Sequence, residues 1–282
     1  MPIVRAASVP VLLAAAAMLL PQASAIAAPA APVAAIAPAP SYSDIADLAD
    51  SAQQVIRAEI RKIAPVDSAK AKPGWGRFYV EAKTRALIYG QGEVGESLRY
   101  LVDLPLGAKG KPPAVKKKEV LLFAHGGAGR PGEIQLVKPD AQLLWDAATE
   151  QRLRAVLGEL HAAGAPARVT GVREAIHVPG NLAGEGETQL FLATVDGSAA
   201  AITLTRASGG AAPKWSVSFS EVATGDGTPP MRDTLEWYRL ACFLPRQLPN
   251  GSNLSGGPAE QRQAEVDYRQ VLADLGDCGR TR

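Results

Sequence analysis

Three histidines are the side chains of this chain best suited to proton transfer near neutral pH. They are His125, His161 and His177, and no pair of them follows an H-x-H or H-x-x-x-H spacing. No cysteine lies near any of them in the sequence. Metal sites commonly draw His and Cys ligands from such short spacings. The sequence therefore predicts no metal site and no bound cofactor, and it assigns structural roles to the three imidazoles.

The segment Leu121–Gly129 (LLFAHGGAG) places His125 between an apolar strand and a run of glycines. A strand followed by H-G-G supplies the oxyanion hole of some esterases, but that chemistry also needs a G-x-S-x-G turn with a histidine downstream. No serine lies in such a pentapeptide, and the nearest approach is Gly95-Glu-Ser97-Leu-Arg99. We therefore expect a Gly-rich β-turn here, and we assign no catalytic residue.

Two other short motifs could bind or process a ligand. Gly90–Gly95 (GQGEVG) matches the G-x-G-x-x-G of dinucleotide sites, which requires a buried parallel strand before it and a helix after it. Because the preceding segment alternates and the following one also has a strand pattern, a hairpin loop is predicted. Glu185 and Glu187 could pair for acid/base work, but neighbours on a loop rarely keep a fixed separation, so a solvated loop is expected.

The two cysteines, Cys242 and Cys278, both lie near the C-terminus. In an exported chain they suggest one disulfide, which would close a loop of about 36 residues and add roughly 3–4 kcal/mol of stability. The chain has no C-x-x-C redox motif, so the pair is predicted to be structural. Two buried free thiols are the alternative.

Residues 1–28 have the three parts of a signal peptide. Arg5 provides a positive start, Val9–Leu20 an apolar core, and Ala23-Ser24-Ala25 a small-x-small cleavage site. The core has about 12 residues, whereas a spanning helix needs roughly 20. We predict a cleaved leader, a periplasmic or secreted protein and no stable membrane span after cleavage; a retained anchor is the alternative. Residues 29–42 are Ala/Pro-rich and predict a disordered linker.

The composition bounds the class of protein. About 250 residues remain after the leader, enough for one large or two small domains. Hydrophobic residues make up 47% and aromatic residues 5%, so the core must rest on aliphatic side chains. The net charge is only +2, whereas nucleic-acid modules usually show a basic excess and clustered Lys/Arg. No nucleic-acid partner is predicted.

Residues 43–163 have the pattern of an antiparallel sheet. A short helix can start with Ser43 as its N-cap. Phe78–Ile88 alternates apolar and polar residues, as a half-buried strand does. Gln53–Val66 fits both a helix and a strand, and the strands that follow favour the strand. The other predicted elements are strands at Ser97–Leu104, Glu119–Ala124 and Glu133–Val137 and a helix at about Asp146–Ala163.

This order of a short helix, five strands with Gly-rich turns and a closing helix resembles an OB-type barrel, loosely the netrin and metalloproteinase-inhibitor version. The resemblance implies a small antiparallel β-barrel plus helix over residues 43–163. Inhibitors of that family act through an N-terminal cysteine held by disulfides. This chain has no cysteine before Cys242, so the inhibitory activity is not implied.

Residues 164–282 predict a β-meander followed by two helices. Asp196-Gly197 lies between two alternating runs, a strong hairpin signal. The strands are predicted at Arg168–Val178, Thr188–Val195, Ala199–Thr205 and Lys214–Val222, and the helices at Asp233–Phe243 and Pro258–Leu275. The fold class is therefore α+β. The sequence leaves open whether the two halves form one domain.

Three phrases, RYLVDLPL, GEGETQ and DTLEWYRLACFLP, resemble an uncharacterised family of exported alphaproteobacterial proteins. That resemblance implies no known activity. The expected function is a non-catalytic binding or scaffold module of the cell envelope, with a protein or other envelope component as its partner. The alternative is an extracytoplasmic hydrolase with an active site near His125 or His177.

Overall fold

The computed structural model describes residues 1, 39–67, 71–91, 93–107, 110–126, 130, 132–220 and 227–282. The predicted signal peptide, apart from its first residue, and the predicted linker up to residue 38 lie outside this part of the chain. Residues 38–282 form one compact unit. The boundary predicted at residues 163 and 164 falls inside this unit.

The first sheet is antiparallel and contains six strands. Its strands are β1 Gln54–Val66, β2 Trp75–Tyr89, β3 Ser97–Pro105, β4 Glu119–Gly126, β5 Ile134–Leu136 and β6 Gln142–Leu144. The order is β3-β2-β1-β4-β5, and β6 pairs with β4. The ambiguous segment at residues 53–66 is thus a strand. Helix α1, Tyr42–Ser51, precedes this sheet and helix α2, Ala147–Leu160, follows it.

Burial in this sheet follows the predicted patterns. Along β2, Phe78, Val80 and Ala82 are buried and alternate with half-exposed polar residues. In β4 the whole run Val120–Ala124 is buried. A continuous apolar run suits β4 because it pairs with β1, β5 and β6 and also packs against α1. The core lies along the inner face of the sheet.

The first sheet curls until its two edges meet, but a continuous ladder does not close it into a barrel. A single parallel bridge joins Arg99 of β3 to Glu133. The backbone N–H of Arg99 donates to Gly132 O at 2.8 Å, and that of Asp103 donates to Pro139 O at 2.7 Å. We call this meeting line, between Arg99–Asp103 and Gly132–Pro139, the seam. The α+β class is confirmed, and the expected small barrel is an open, curled sheet.

The second sheet is an antiparallel meander. Its strands are β7 Val169–Pro179, β8 Gly186–Thr194, β9 Ala201–Arg206 and β10 Lys214–Ser218, in the order β10-β9-β8-β7. Two helices follow, α3 at Leu235–Ala241 and α4 at Pro258–Leu275. Helix α4 packs against β7 and β8. The predicted meander and both C-terminal helices are therefore present.

One local expectation for the first half is wrong, and one short strand was not predicted. The N-cap of α1 is Ser41, because Asp44 stands at N3 and completes a reciprocal capping box with it. Ser43 is buried instead, and its hydroxyl donates to Cys278 O at 2.5 Å. Strand β6 was not expected, because three residues are too few to show an alternating pattern.

The predicted disulfide between Cys242 and Cys278 is present, with the two Cα atoms 4.9 Å apart. It ties the C-terminal segment to the end of α3. That segment also packs on α1, where Thr281 Oγ1 donates to Asp44 at 2.6 Å and Arg280 Nε donates to Asp47 at 2.6 Å. The disulfide and these hydrogen bonds together fix the C-terminus across the first helix.

Asp47 of α1 accepts hydrogen bonds from both Arg280 and Tyr238. Burial raises its pKa, but the hydrogen bonds from Arg280 at 2.6 Å and from the Tyr238 hydroxyl at 2.7 Å outweigh burial, so the pKa lies below its usual range. A depressed pKa in the folded state means that the ionised carboxylate stabilises the fold. This stabilisation is complete above the ordinary aspartate pKa and is lost as the pH falls through the folded-state value.

We expect the double variant Cys242→Ser with Cys278→Ser to lose about 3–4 kcal/mol of unfolding free energy, because the unfolded chain regains the freedom of a 36-residue loop. Urea titration of the oxidised proteins, followed by circular dichroism, measures the difference. Dithiothreitol should destabilise the wild type equally and leave the double variant unchanged. Equal stability of the oxidised wild type and the variant would contradict this prediction.

We expect Asp47→Asn to flatten the dependence of stability on pH. Below the ordinary aspartate pKa, near about pH 4, the wild type should lose stability with acid more steeply than the variant. Urea titrations at a series of pH values from neutral to acid measure both slopes. Glu96→Gln is the control, because Glu96 is 84% exposed and should leave the slope unchanged. Parallel curves for wild type and Asp47→Asn would refute the assignment.

Candidate functional site

The seam opens into a cleft because its two sides differ in length. Between the two backbone hydrogen bonds, β3 advances four residues from Arg99 to Asp103, whereas the opposite side advances seven from Gly132 to Pro139. At about 3.3 Å a residue, these stretches would span about 13 Å and about 23 Å if extended. The longer side must therefore bow away from β3. The resulting cleft has a volume of about 440 Å³.

The cleft combines apolar walls with a few charged groups. Leu101 projects from β3 and is 48% exposed, while Ile134 and Leu136 on the opposite side are almost fully buried. The described residues that line it are Arg77, Leu101, Asp103, Ile134, Gln135, Leu136, Val137, Lys138 and Pro139. Lys138 is exposed. The lining thus has two cationic side chains and one anionic side chain.

Arg77 and Asp103 form the polar end of this cleft. The β2–β3 register places them directly opposite each other. Arg77 Nε donates to Asp103 Oδ1 at 2.7 Å, and Nη2 donates to Oδ2 at 2.9 Å, a bidentate pair. The hydrogen bond to Asp103 raises the pKa of Arg77. The pair holds the guanidinium in one orientation at the cleft.

His177 lies in a second polar cluster, between the second sheet and α4. Strand pairing sets it opposite Thr188, and its Nδ1 lies 2.8 Å from Thr188 Oγ1. The Thr188 hydroxyl in turn donates to Asp267 Oδ2, which lies 3.7 Å from His177 Nδ1. The cluster therefore contains an imidazole, a hydroxyl and a carboxylate, the group types of a hydrolase triad.

The burial of its side chains indicates that this cluster is structural. Thr188 and Asp267 are both 0% exposed, so the hydroxyl is closed to a substrate. Asp267 also accepts from Arg206 Nε at 2.7 Å and from Gln263 Nε2 at 2.8 Å. A Cβ on Gly186 would lie 2.6 Å from Cε1 of the His177 ring, so the backbone packs directly on the imidazole. The cluster joins α4 to β7, β8 and β9.

The other two histidines have separate surroundings. His125 is half-buried near the end of β4, and residues 127–129 of its Gly-rich segment lie outside the described part of the chain. His161 follows α2, where its ring stacks on Tyr89 with centroids 4.3 Å apart. Within the described residues, no group of three His, Cys, Asp or Glu side chains could hold a metal ion.

The two remaining motifs lie between β2 and β3 and at the start of β8. Residues 90–95 connect the antiparallel strands β2 and β3, so the predicted hairpin loop is confirmed. Gly90 has φ +113°, and a Cβ there would lie 2.5 Å from Gln53 O, so this position requires glycine. Glu185 accepts from Leu182 N at 3.2 Å, whereas Glu187 accepts from Gln189 Nε2 at 2.7 Å.

The seam cleft was not predicted, although one sequence signal points towards it. Ser97, Arg99 and Leu101 alternate as exposed positions of β3, and leucine is the one apolar side chain among these three. A single exposed leucine is common on protein surfaces, so the signal is weak. The pairing of Arg77 with Asp103 depends on the strand register, which the alternation of residues alone does not fix.

No protein-family model matches the chain, and no curated protein matches it in sequence. The cleft and the buried cluster must therefore be interpreted from their own geometry. None of the helices in the described part of the chain is long and apolar enough to cross a membrane.

We expect Asp267→Asn to lower the unfolding free energy by about 3 kcal/mol, because Arg206 then loses the carboxylate that compensates its charge. Urea denaturation followed by circular dichroism measures the loss. The double variant Arg206→Met with Asp267→Leu should recover part of it, since no unpaired charge remains. The exposed control Glu96→Gln should change stability by less than about 0.5 kcal/mol. A loss no larger than the control's would contradict a structural role.

Proposed function

We propose that the mature chain is a non-catalytic binding module that works outside the cytoplasm, in the periplasm or beyond it, and that its ligand or partner occupies the seam cleft. The leader-like residues 1–28 support export. The disulfide between Cys242 and Cys278 is compatible with that location, because disulfides persist in oxidising compartments. The resemblance to exported alphaproteobacterial proteins agrees with this proposal.

The cleft is the observation that carries the proposal. Binding sites for small molecules are typically preformed concavities of roughly 300–1,000 Å³, lined by apolar groups with a few placed polar ones. The seam cleft, at about 440 Å³, combines apolar Leu101, Ile134 and Leu136 with an oriented Arg77. The unequal chain lengths along the seam keep it open without a ligand.

An extracytoplasmic hydrolase is the second candidate, and the contact between His177 Nδ1 and Thr188 Oγ1 is the observation in its favour. The full burial of Thr188 and Asp267 speaks against it, since a nucleophile must reach the substrate. The binding module therefore agrees better with the geometry.

Photo-cross-linking in the native envelope tests the proposal. A photoreactive amino acid at Gln135, an exposed residue of the cleft, should give a discrete adduct by mass spectrometry. The same probe at Leu144, which is 61% exposed and does not line the cleft, should not give it. Leu101→Trp, which fills the cleft, should abolish the Gln135 adduct, whereas His177→Gln should leave it unchanged.

Three outcomes of this experiment would contradict the binding module. The first is the absence of any adduct at Gln135, and the second is the same adduct at Gln135 and Leu144. The third is an adduct that survives Leu101→Trp but disappears in His177→Gln, a result that favours the hydrolase. Circular dichroism of each variant confirms that it is folded.

A further inference from the structure

We propose that the seam cleft binds a carboxylate that carries an aliphatic group. The unused edge of the Arg77 guanidinium takes the carboxylate, and Leu101 contacts the aliphatic part. This inference rests on the proposed function and names the chemical class of its ligand.

Asp103 uses only part of the hydrogen-bonding capacity of the Arg77 guanidinium. It carries five N–H groups in a planar fork, and Asp103 accepts one from Nε and one from Nη2. Nη1 donates to no residue within the described part of the chain. The two N–H groups at the far end of the fork, one on Nη1 and one on Nη2, match the two oxygens of a carboxylate. Asp103 thus orients Arg77 and leaves the far edge of its guanidinium without a partner among the described residues.

The charges of the lining favour a single negative charge on the ligand. Arg77 and Lys138 contribute two positive charges and Asp103 one negative charge. The positive charge of Lys138 also favours the ionised form of Asp47 and lowers its pKa, so this charge acts on a group outside the cleft lining as well. A neutral ligand that displaced water would offer the Arg77 donors only uncharged acceptors, which form weaker hydrogen bonds than a carboxylate does. A monocarboxylate balances both the charge and the hydrogen bonds.

The apolar side of the cleft favours an aliphatic group on the carboxylate ligand. Leu101 is 48% exposed, next to the Arg77–Asp103 pair on the β2–β3 sheet surface. Leu136 and Val137 face the cleft from the opposite side. An aliphatic group between these walls would remove the exposed leucine from water, which is favourable. Small aliphatic acids and peptide C-termini that end in an aliphatic residue both carry this chemistry.

Binding of matched acids and amides to the full mature chain tests the inference. The small probes are hexanoate and hexanamide, and the peptide probes are acetyl-Ala-Leu and its C-terminal amide. Chemical-shift titration of the Leu101 methyl groups measures each affinity. We expect each acid to bind at least about tenfold more tightly than its amide, since only the acid makes charge-assisted hydrogen bonds. The tighter of the two acids identifies the source of the carboxylate.

Variants separate the two parts of the site. Arg77→Gln should abolish the preference for acid over amide, and Arg77→Gln with Asp103→Asn should do the same without leaving Asp103 unpaired. Leu101→Ala, followed through the Leu136 methyl groups, should weaken acid and amide alike and keep their ratio. Arg173→Gln is the matched control, because Arg173 is 63% exposed on the second sheet and does not line the cleft.

Amides that bind as tightly as acids, an acid preference that survives Arg77→Gln, or no saturable binding of any probe would overturn the inference. Its failure is distinguishable from failure of the proposed function. If Leu101→Trp abolishes the Gln135 adduct while acids and amides bind equally, the binding-module proposal is supported. The proposal that the ligand is a carboxylate is then wrong. If the adduct is also absent, both proposals fall.

Discussion

The first sheet stays open because the two chain segments that meet at its seam differ in length. Two backbone hydrogen bonds fix the ends of a stretch along which the chain advances four residues on the β3 side and seven on the other. The shorter side stays in the sheet and pairs with β2, while the longer side has to bow outward. The same mismatch prevents a continuous β3–β5 ladder and creates the cleft. The open sheet and the candidate site therefore have one physical cause.

Charged groups elsewhere in the molecule are used to hold elements together. Asp267 is fully buried and compensated by Arg206, Gln263 and Thr188, which docks α4 on the second sheet. Arg280 and Asp47 hold the disulfide-linked C-terminus on α1. Arg77 donates to Asp103 through Nε and Nη2, as Arg206 does to Asp267, but Arg77 lines an open cleft. The proposed binding role rests on this position of Arg77 in the lining of the cleft.

Local sequence patterns predicted most of the elements, because strand alternation and apolar helix spacing act over a few residues. Helix α4 runs from Pro258 to Leu275 as expected, and the Asp196-Gly197 turn joins β8 to β9. The cap of α1 was misplaced because Ser41 and Ser43 are equally good cap residues, and Asp44 decides between them. The seam could not be predicted, since it depends on pairing between segments more than 30 residues apart, as Arg99 and Glu133 are.

We propose that the seam cleft is the functional surface of this protein. Hydrogen–deuterium exchange of the intact mature chain, with and without envelope extract from the same cells, tests this proposal. We expect added protection in residues 97–105 and 132–139, on both sides of the seam, and none in β7 and β8. Protection confined to β7 and β8 around His177, or no change anywhere, would show that the cleft is not the functional surface.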